Sequence, residues 1–182
     1  YQREYKWKTK QVAELIGDLT DKFLESYDPR HERTKVESYG HYFLGSIIIS
    51  DKNGHKFIID GQQRLTSLTL LLIYLHRRLD DQEQKGQLAP LIFSGKYGKK
   101  SFNLDVPERA ACMDAIYTGQ TPAENGQSES LVNIVARYRD IEEMFSKEVD
   151  GDALPYFADW LIENVHLVEI TAHTDEDAYT IF

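Results

Sequence analysis

The sequence predicts an α+β fold, a small mixed β-sheet with a central hairpin followed by a mostly helical second half. Three observations point there. Two β-branched runs flank an Asn53-Gly54 pair, the hydrophobic period changes just after Gly61, and the apolar residues beyond Pro107 fall mainly at helical spacing.

Over 10–24, Val12, Leu15, Ile16, Leu19 and Phe23 recur at three- and four-residue spacing, which predicts an amphipathic helix with Thr9 as its cap. The span 27–39 carries Asp28-Pro29 and many charges and reads as a surface loop. The runs 42–49 and 55–60, joined through Asp51-Lys52-Asn53-Gly54, predict a β-hairpin. After Gly61, Leu65, Leu68, Leu72 and Leu75 share one face, with Leu71 and Leu79 beside it, so a helix runs to residue 79 and is buried on most sides. Residues 80–87 read as a Gln- and Lys-rich turn, 91–93 as a short apolar run and 101–104 as a strand. Pro107 suits the first turn of a helix over 107–117 that Gly119 stops. The polar span 118–128 reads as a mobile loop. Helices over 129–147 and 153–164 follow, then a strand over 166–170. The stripe Leu131, Ile134, Val135, Tyr138, Ile141 and Phe145 is expected to be core. The last residues, after the acidic Thr174-Asp175-Glu176-Asp177, read as the opening of a further helix, and the chain as a domain of a longer protein. Two parts are expected: 1–106, which holds the hairpin, and 107–182, a helical part packed on it that closes over the site.

With 182 residues and 41% hydrophobic content, the chain can build a real core. Its longest apolar stretches fall far short of the roughly 20 residues needed to span a bilayer, and no signal-peptide pattern opens it, so a cytoplasmic location is expected. The single cysteine, Cys112, can form no internal disulfide and reads as a buried thiol. A net charge of −9 argues against a protein that coats DNA. The charge is uneven: residues 1–64 hold eleven Lys and Arg against ten Asp and Glu, and residues 65–182 hold ten against twenty. An anion site therefore belongs in the first third.

The run Asp60-Gly61-Gln62-Gln63-Arg64 lies where the strand period gives way to the helix period. A helix beginning there leaves its first N–H groups without intrahelical partners, at the end of the dipole that favours an anion. Gly61 lets a ligand approach the backbone. Arg64 offers a planar fork of donors suited to phosphate, Gln62 and Gln63 add neutral donors and acceptors, and Thr66 and Ser67 add hydroxyls near the same end. Asp60 is placed to hold a magnesium ion, to order a water or simply to cap the helix. At the start of the chain, Tyr1-Gln2-Arg3-Glu4-Tyr5-Lys6-Trp7 mixes aromatic and basic residues. It can stack on a base while Arg3 or Lys6 meets phosphate, or Tyr5 and Trp7 can pack on the core with Arg3 and Lys6 solvated. The histidines His41, His55, His76, His166 and His173 are scattered, and no zinc-ligand spacing, P-loop or Gly-x-Ser-x-Gly elbow is present.

Three segments together carry a resemblance: Tyr1-Gln2-Arg3-x-Tyr5-x-Trp7, His41-Tyr42-Phe43-Leu44-Gly45-Ser46-Ile47, and Ile58-Ile59-Asp60-Gly61-Gln62-Gln63-Arg64-Leu65-Thr66-Ser67-Leu68. The chain resembles the N-terminal domain family of GmrSD-type restriction endonucleases, a branch of the ParB/sulfiredoxin-like superfamily. Ile134-Val135-Ala136-Arg137-Tyr138 and the ending Asp177-Ala178-Tyr179-Thr180-Ile181-Phe182 extend the resemblance along the chain. It implies a ParB-like core and a domain that binds and hydrolyses a nucleoside triphosphate with Mg2+. By the resemblance Asp60, Gln62, Gln63 and Arg64 would act on the nucleotide, with Gly61 as the close-approach glycine; the residue types themselves add Asp60 as the metal carrier and Gly61, Arg64, Thr66, Ser67 and Arg3 as the phosphate-holding set. It further implies DNA as the target of the full-length protein and an HNH-type nuclease domain as partner. Family members continue into an Asn-x-Arg-Gly motif that this sequence does not contain, so nucleotide binding is expected ahead of turnover. Two other readings stay open: a non-enzymatic DNA-sensing module that uses the same turn, and a ParB-like domain with its own nuclease activity.

Overall fold

The computed structural model describes residues 4–96, 98–122 and 127–172. Its element order is α1 (Thr9–Leu24), a 3-10 helix (Arg33–Ser38), β1 (Tyr42–Lys52), β2 (His55–Asp60), α2 (Gln62–Arg78), α3 (Gln82–Ile92), β3 (Phe93–Lys96), β4 (Lys99–Phe102), α4 (Pro107–Thr118), α5 (Glu129–Met144), α6 (Leu154–Asn164) and β5 (Val165–Ala172). The fold is the predicted α+β type, with a small mixed sheet.

The sheet has the order β2-β1-β5. The hairpin partners β1 and β2 are antiparallel, and the turn between them places Asn53 at φ 54 and Gly54 at φ 79, the paired left-handed conformation of a tight hairpin turn. On its other edge β1 pairs parallel with β5, with Ile48 opposite Ile170. Parallel pairing needs a long crossover, and here every residue between the hairpin and β5 supplies it. A second ribbon joins β3 and β4. The helices share one buried core that runs from Tyr5 and α1 through α2 and α5 to Trp160 and Leu161 of α6. At its centre Phe23 meets Phe157 edge to face, with ring centroids 5.4 Å apart. Of the stripe predicted on α5, Ile134, Tyr138, Ile141 and Phe145 are buried, and Leu131 and Val135 pack against the core. Cys112 is buried as well, and burial pushes its thiol pKa up.

Several local expectations change. Residues 80–87 do not form a turn, because α3 begins at Gln82. Asp81 accepts from the N–H groups of Glu83 (2.9 Å) and Gln84 (3.3 Å), and Gln84, Leu88 and Ile92 form the buried stripe. A glutamine in the first stripe position, with Gly86 and Pro90 nearby, hides this helix from a search for apolar periodicity. Thr9 is the first helical residue of α1 rather than its cap. The cap position is Lys8, whose N–H is held by Gln11 Oε1 at 2.9 Å. Within 27–39 a 3-10 helix forms around buried Val36. The helix predicted to 147 stops at Met144, and Phe145 turns inward against Tyr74 and Phe157. Residues 123–126 of the predicted loop, and the helix opening after Thr174, lie outside the described residues.

Candidate functional site

Strand β2 carries Asp60 opposite Ile48 of β1, next to an irregularity in the ladder between Ile48 and Ile49. Gly61 then turns the chain at φ 95, and α2 starts at Gln62. A Cβ on Gly61 would lie 2.6 Å from Ile47 Cγ2, so both the left-handed backbone and the packing on β1 require glycine here. The first helical bond in the turn runs from Leu65 N–H to Gly61 O, and among the described residues no side chain caps the helix. The N–H groups of Gln62, Gln63 and Arg64 therefore stand ahead of the ladder, where the helix dipole is positive.

These residues line a small pocket of about 160 Å3 with Trp7 and Ile59. The Asp60 carboxylate has no hydrogen-bond or ion-pair partner among the described residues. Arg64 crosses to β1, where its Nη1 donates to Ser46 O at 3.0 Å. Its guanidinium lies over Gly45, at whose position a Cβ would come within 3.0 Å of Nη1. Gly45 itself has φ 119 and sits at a register shift in the β1–β5 ladder. The strand is thus locally shaped to seat the arginine, and among the described residues one Nη1 bond leaves most of its donor fork uncommitted.

The two glutamines work differently. Gln62 Nε2 donates to Ile58 O at 2.7 Å, tying the helix start to its own strand. Gln63 clasps the N-terminal strap: its Oε1 accepts from Lys6 N–H (2.7 Å) and Trp7 N–H (3.2 Å), and its Nε2 donates to Glu4 O (2.7 Å). Helix α5 holds the same strap from the other side. Ser130 Oγ accepts from Tyr5 N–H, Asn133 donates to Tyr5 O and Arg137 donates to Trp7 O. Tyr5 is fully buried with its hydroxyl 2.8 Å from Ser67 Oγ, and burial pushes its pKa up to about 12. Of the two arrangements open for the aromatic start, Tyr5 and Trp7 pack on the core and Lys6 is exposed, while Arg3 lies outside the described residues.

Thr66 and Ser67 are buried and turned away from the pocket. Each donates back along the helix, Thr66 to Gln62 O and Ser67 to Gln63 O. Thr66 reaches a second cavity, also about 160 Å3, that it lines with Lys56, Gln62, Asn103 and Arg109. Arg109, which lines this second cavity, is a buried cation that reading for motifs misses. Its guanidinium is nearly buried, its Nη1 lies 3.4 Å from Thr66 Oγ1, and desolvation lowers its pKa. The signal was in the spacing: Arg109 stands three, four and seven residues before Cys112, Met113 and Ile116, on the buried face of α4.

The topology also joins two scattered histidines, since His41 Nδ1 lies 2.6 Å from His166 Nε2 with the rings stacked. Among the described residues no group of three or more His, Cys, Asp or Glu side chains could hold a metal ion, and no helix is long and apolar enough to cross a membrane. Compared with known families, residues 1–182 match the family described as GmrSD restriction endonuclease, N-terminal domain. No curated protein matches the chain.

Proposed function

We propose that this chain, which belongs to the family of GmrSD restriction endonuclease N-terminal domains, binds the phosphates of a nucleoside triphosphate at the Asp60–Arg64 turn. The observation that carries this reading is the Asp60–Arg64 pocket itself. It combines a helix start without a side-chain cap, an arginine fork only partly committed and a carboxylate without a partner, all among the described residues. Its volume is below the roughly 300–1,000 Å3 of pockets that enclose a whole small molecule, so it suits a phosphate group, with sugar and base outside. Trp7 is the aromatic wall that such a base would meet first.

Magnesium fits this donor set as an ion that arrives with the nucleotide. The Asp60 carboxylate, without a partner among the described residues, would share it with phosphate oxygens and water, the usual arrangement for an ion that keeps much of its hydration. When bound, it would neutralise charge on the phosphates during hydrolysis. Arg64 and the Gln63 N–H group would orient the phosphate. Gln63 would act through the strap by holding Trp7 in place. In the full-length protein we place this nucleotide step upstream of DNA cleavage by an HNH-type nuclease domain, in the cytoplasm, as part of defence against phage DNA.

The test is phosphate release from GTP, CTP, ATP and UTP with magnesium, together with nucleotide binding, for wild type and Arg64→Ala. We expect Arg64→Ala to weaken binding by about tenfold or more, the value of a charge-assisted contact. Equal affinity and equal turnover in both proteins would refute the reading.

A further inference from the structure

We propose that the cleft between the 3-10 helix, the start of α3 and α6 binds an organic cation, an alkylammonium or guanidinium group. The cleft measures about 380 Å3 and shares no residue with the Asp60–Arg64 pocket. Five carboxylates line it, those of Glu37, Asp81, Glu83, Asp159 and Glu163, against the single cation Arg33.

Arg33 is already committed. Its Nε and Nη2 donate to Asp159 at 2.8 and 2.9 Å, and its Nη1 reaches Asp81 at 3.4 Å. Asp81 spends its other contacts capping α3. Glu37, Glu83 and Glu163 have no hydrogen-bond or ion-pair partner among the described residues, so the cleft keeps an uncompensated negative charge.

The second observation is Gln84, a lining residue that is 1% exposed. Its Nε2 donates to Pro155 O at 2.6 Å and to Asp159 Oδ1 at 2.8 Å, which fixes the orientation of the amide. Its Oε1 is thereby left buried without a hydrogen-bond partner among the described residues. Buried acceptors are ordinarily matched, and this unmatched one belongs to a residue of the cleft wall. A bare metal ion fits poorly, because among the described residues no three acidic side chains converge on one point. The carboxylates instead ring a space large enough for a cation whose N–H groups are spread along a chain or a planar fork.

Free polyamine and the arginine side chain of a partner protein share this chemistry. The whole chain is titrated by calorimetry with spermidine and, separately, with N-acetyl-arginine methylamide at low salt. The same titrations are run on the Glu37→Gln, Glu163→Gln double variant, whose fold is checked by circular dichroism. Saturable binding of either probe, weakened about tenfold in the double variant and lost at high salt, is expected. Binding of spermidine alone assigns a free polyamine, and binding of the arginine probe alone assigns a protein side chain. No saturable heat from either probe at millimolar concentration, or equal affinity in the double variant, would overturn the proposal. A saturable isotherm for magnesium or calcium chloride that the double variant loses would also overturn it.

Discussion

Gln63→Ala removes a side chain whose amide makes three hydrogen bonds to one stretch of backbone, to Glu4 O and to the N–H groups of Lys6 and Trp7. A net contribution of about 1 kcal/mol for each bond, discounted because the Lys6 end is exposed, gives a loss of about 2 kcal/mol. For a chain of this length that corresponds to a fall in Tm of about 4–8 °C. The loss is local, because Tyr5 keeps its contacts to Ser130, Asn133 and Ser67. Hydrogen exchange of the Lys6 and Trp7 amides should therefore accelerate by about 30-fold, while amides in the middle of α2 keep their protection relative to the global stability. Gln63→Glu provides the control. A carboxylate still accepts from both amides but cannot donate to Glu4 O, so an intermediate loss is expected. If the Lys6 and Trp7 amides exchange at the wild-type rate in Gln63→Ala, the side chain does not hold the strap and its assignment as a positioning residue fails.

Three further outcomes follow from the same geometry. Gly61→Ala places a Cβ 2.6 Å from Ile47 on a backbone at φ 95, and chemical denaturation should show a loss of about 3 kcal/mol. Ile47→Ala added to it should cost less than Ile47→Ala alone, and simple additivity of the two would show that no clash exists. Gly45→Ala pushes on the Arg64 guanidinium from 3.0 Å, so nucleotide affinity should fall by about tenfold, and an unchanged Kd would detach Arg64 from the phosphate site. Tyr5 has a folded-state pKa of about 12 against an ordinary 10.0, because burial favours the neutral phenol. Its contribution is fully present below pH 10 and is lost as pH rises toward 12, by about 3 kcal/mol. Tyr5→Phe should thus be the less stable protein at pH 9, where it lacks the bond to Ser67, and the gap should close or reverse above pH 11, as read from urea midpoints across that range.

The hairpin and the Asp60–Arg64 turn were legible because their causes are local. Asn53 and Gly54 adopt the turn that their own backbones favour, and the period changes at Gly61 because a strand ends and a helix begins there. The bonds that join the N-terminal strap, β1, the turn and α5 were not legible, because they form between distant segments. Nothing in Gln63 itself says that it will hold Lys6 and Trp7, and nothing in Arg64 says that it will lie over Gly45. Helix α3 was missed for a related reason, since Gln84 is buried by a bond to Pro155, far along the chain, and not by its own hydrophobicity.

By itself, then, the sequence determined the fold class and the place of the strand-to-helix turn, since periodicity, turn chemistry and helix-end physics act over a few residues. Only the tertiary structure decided which residues near that turn face the pocket. It turned Thr66 and Ser67 inward, gave Gln63 to the strap, seated Arg64 on a glycine of β1 and left Asp60 without a partner among the described residues. A polar side chain bonds to whatever the fold brings within about 3 Å, and that neighbour is set by packing between distant segments.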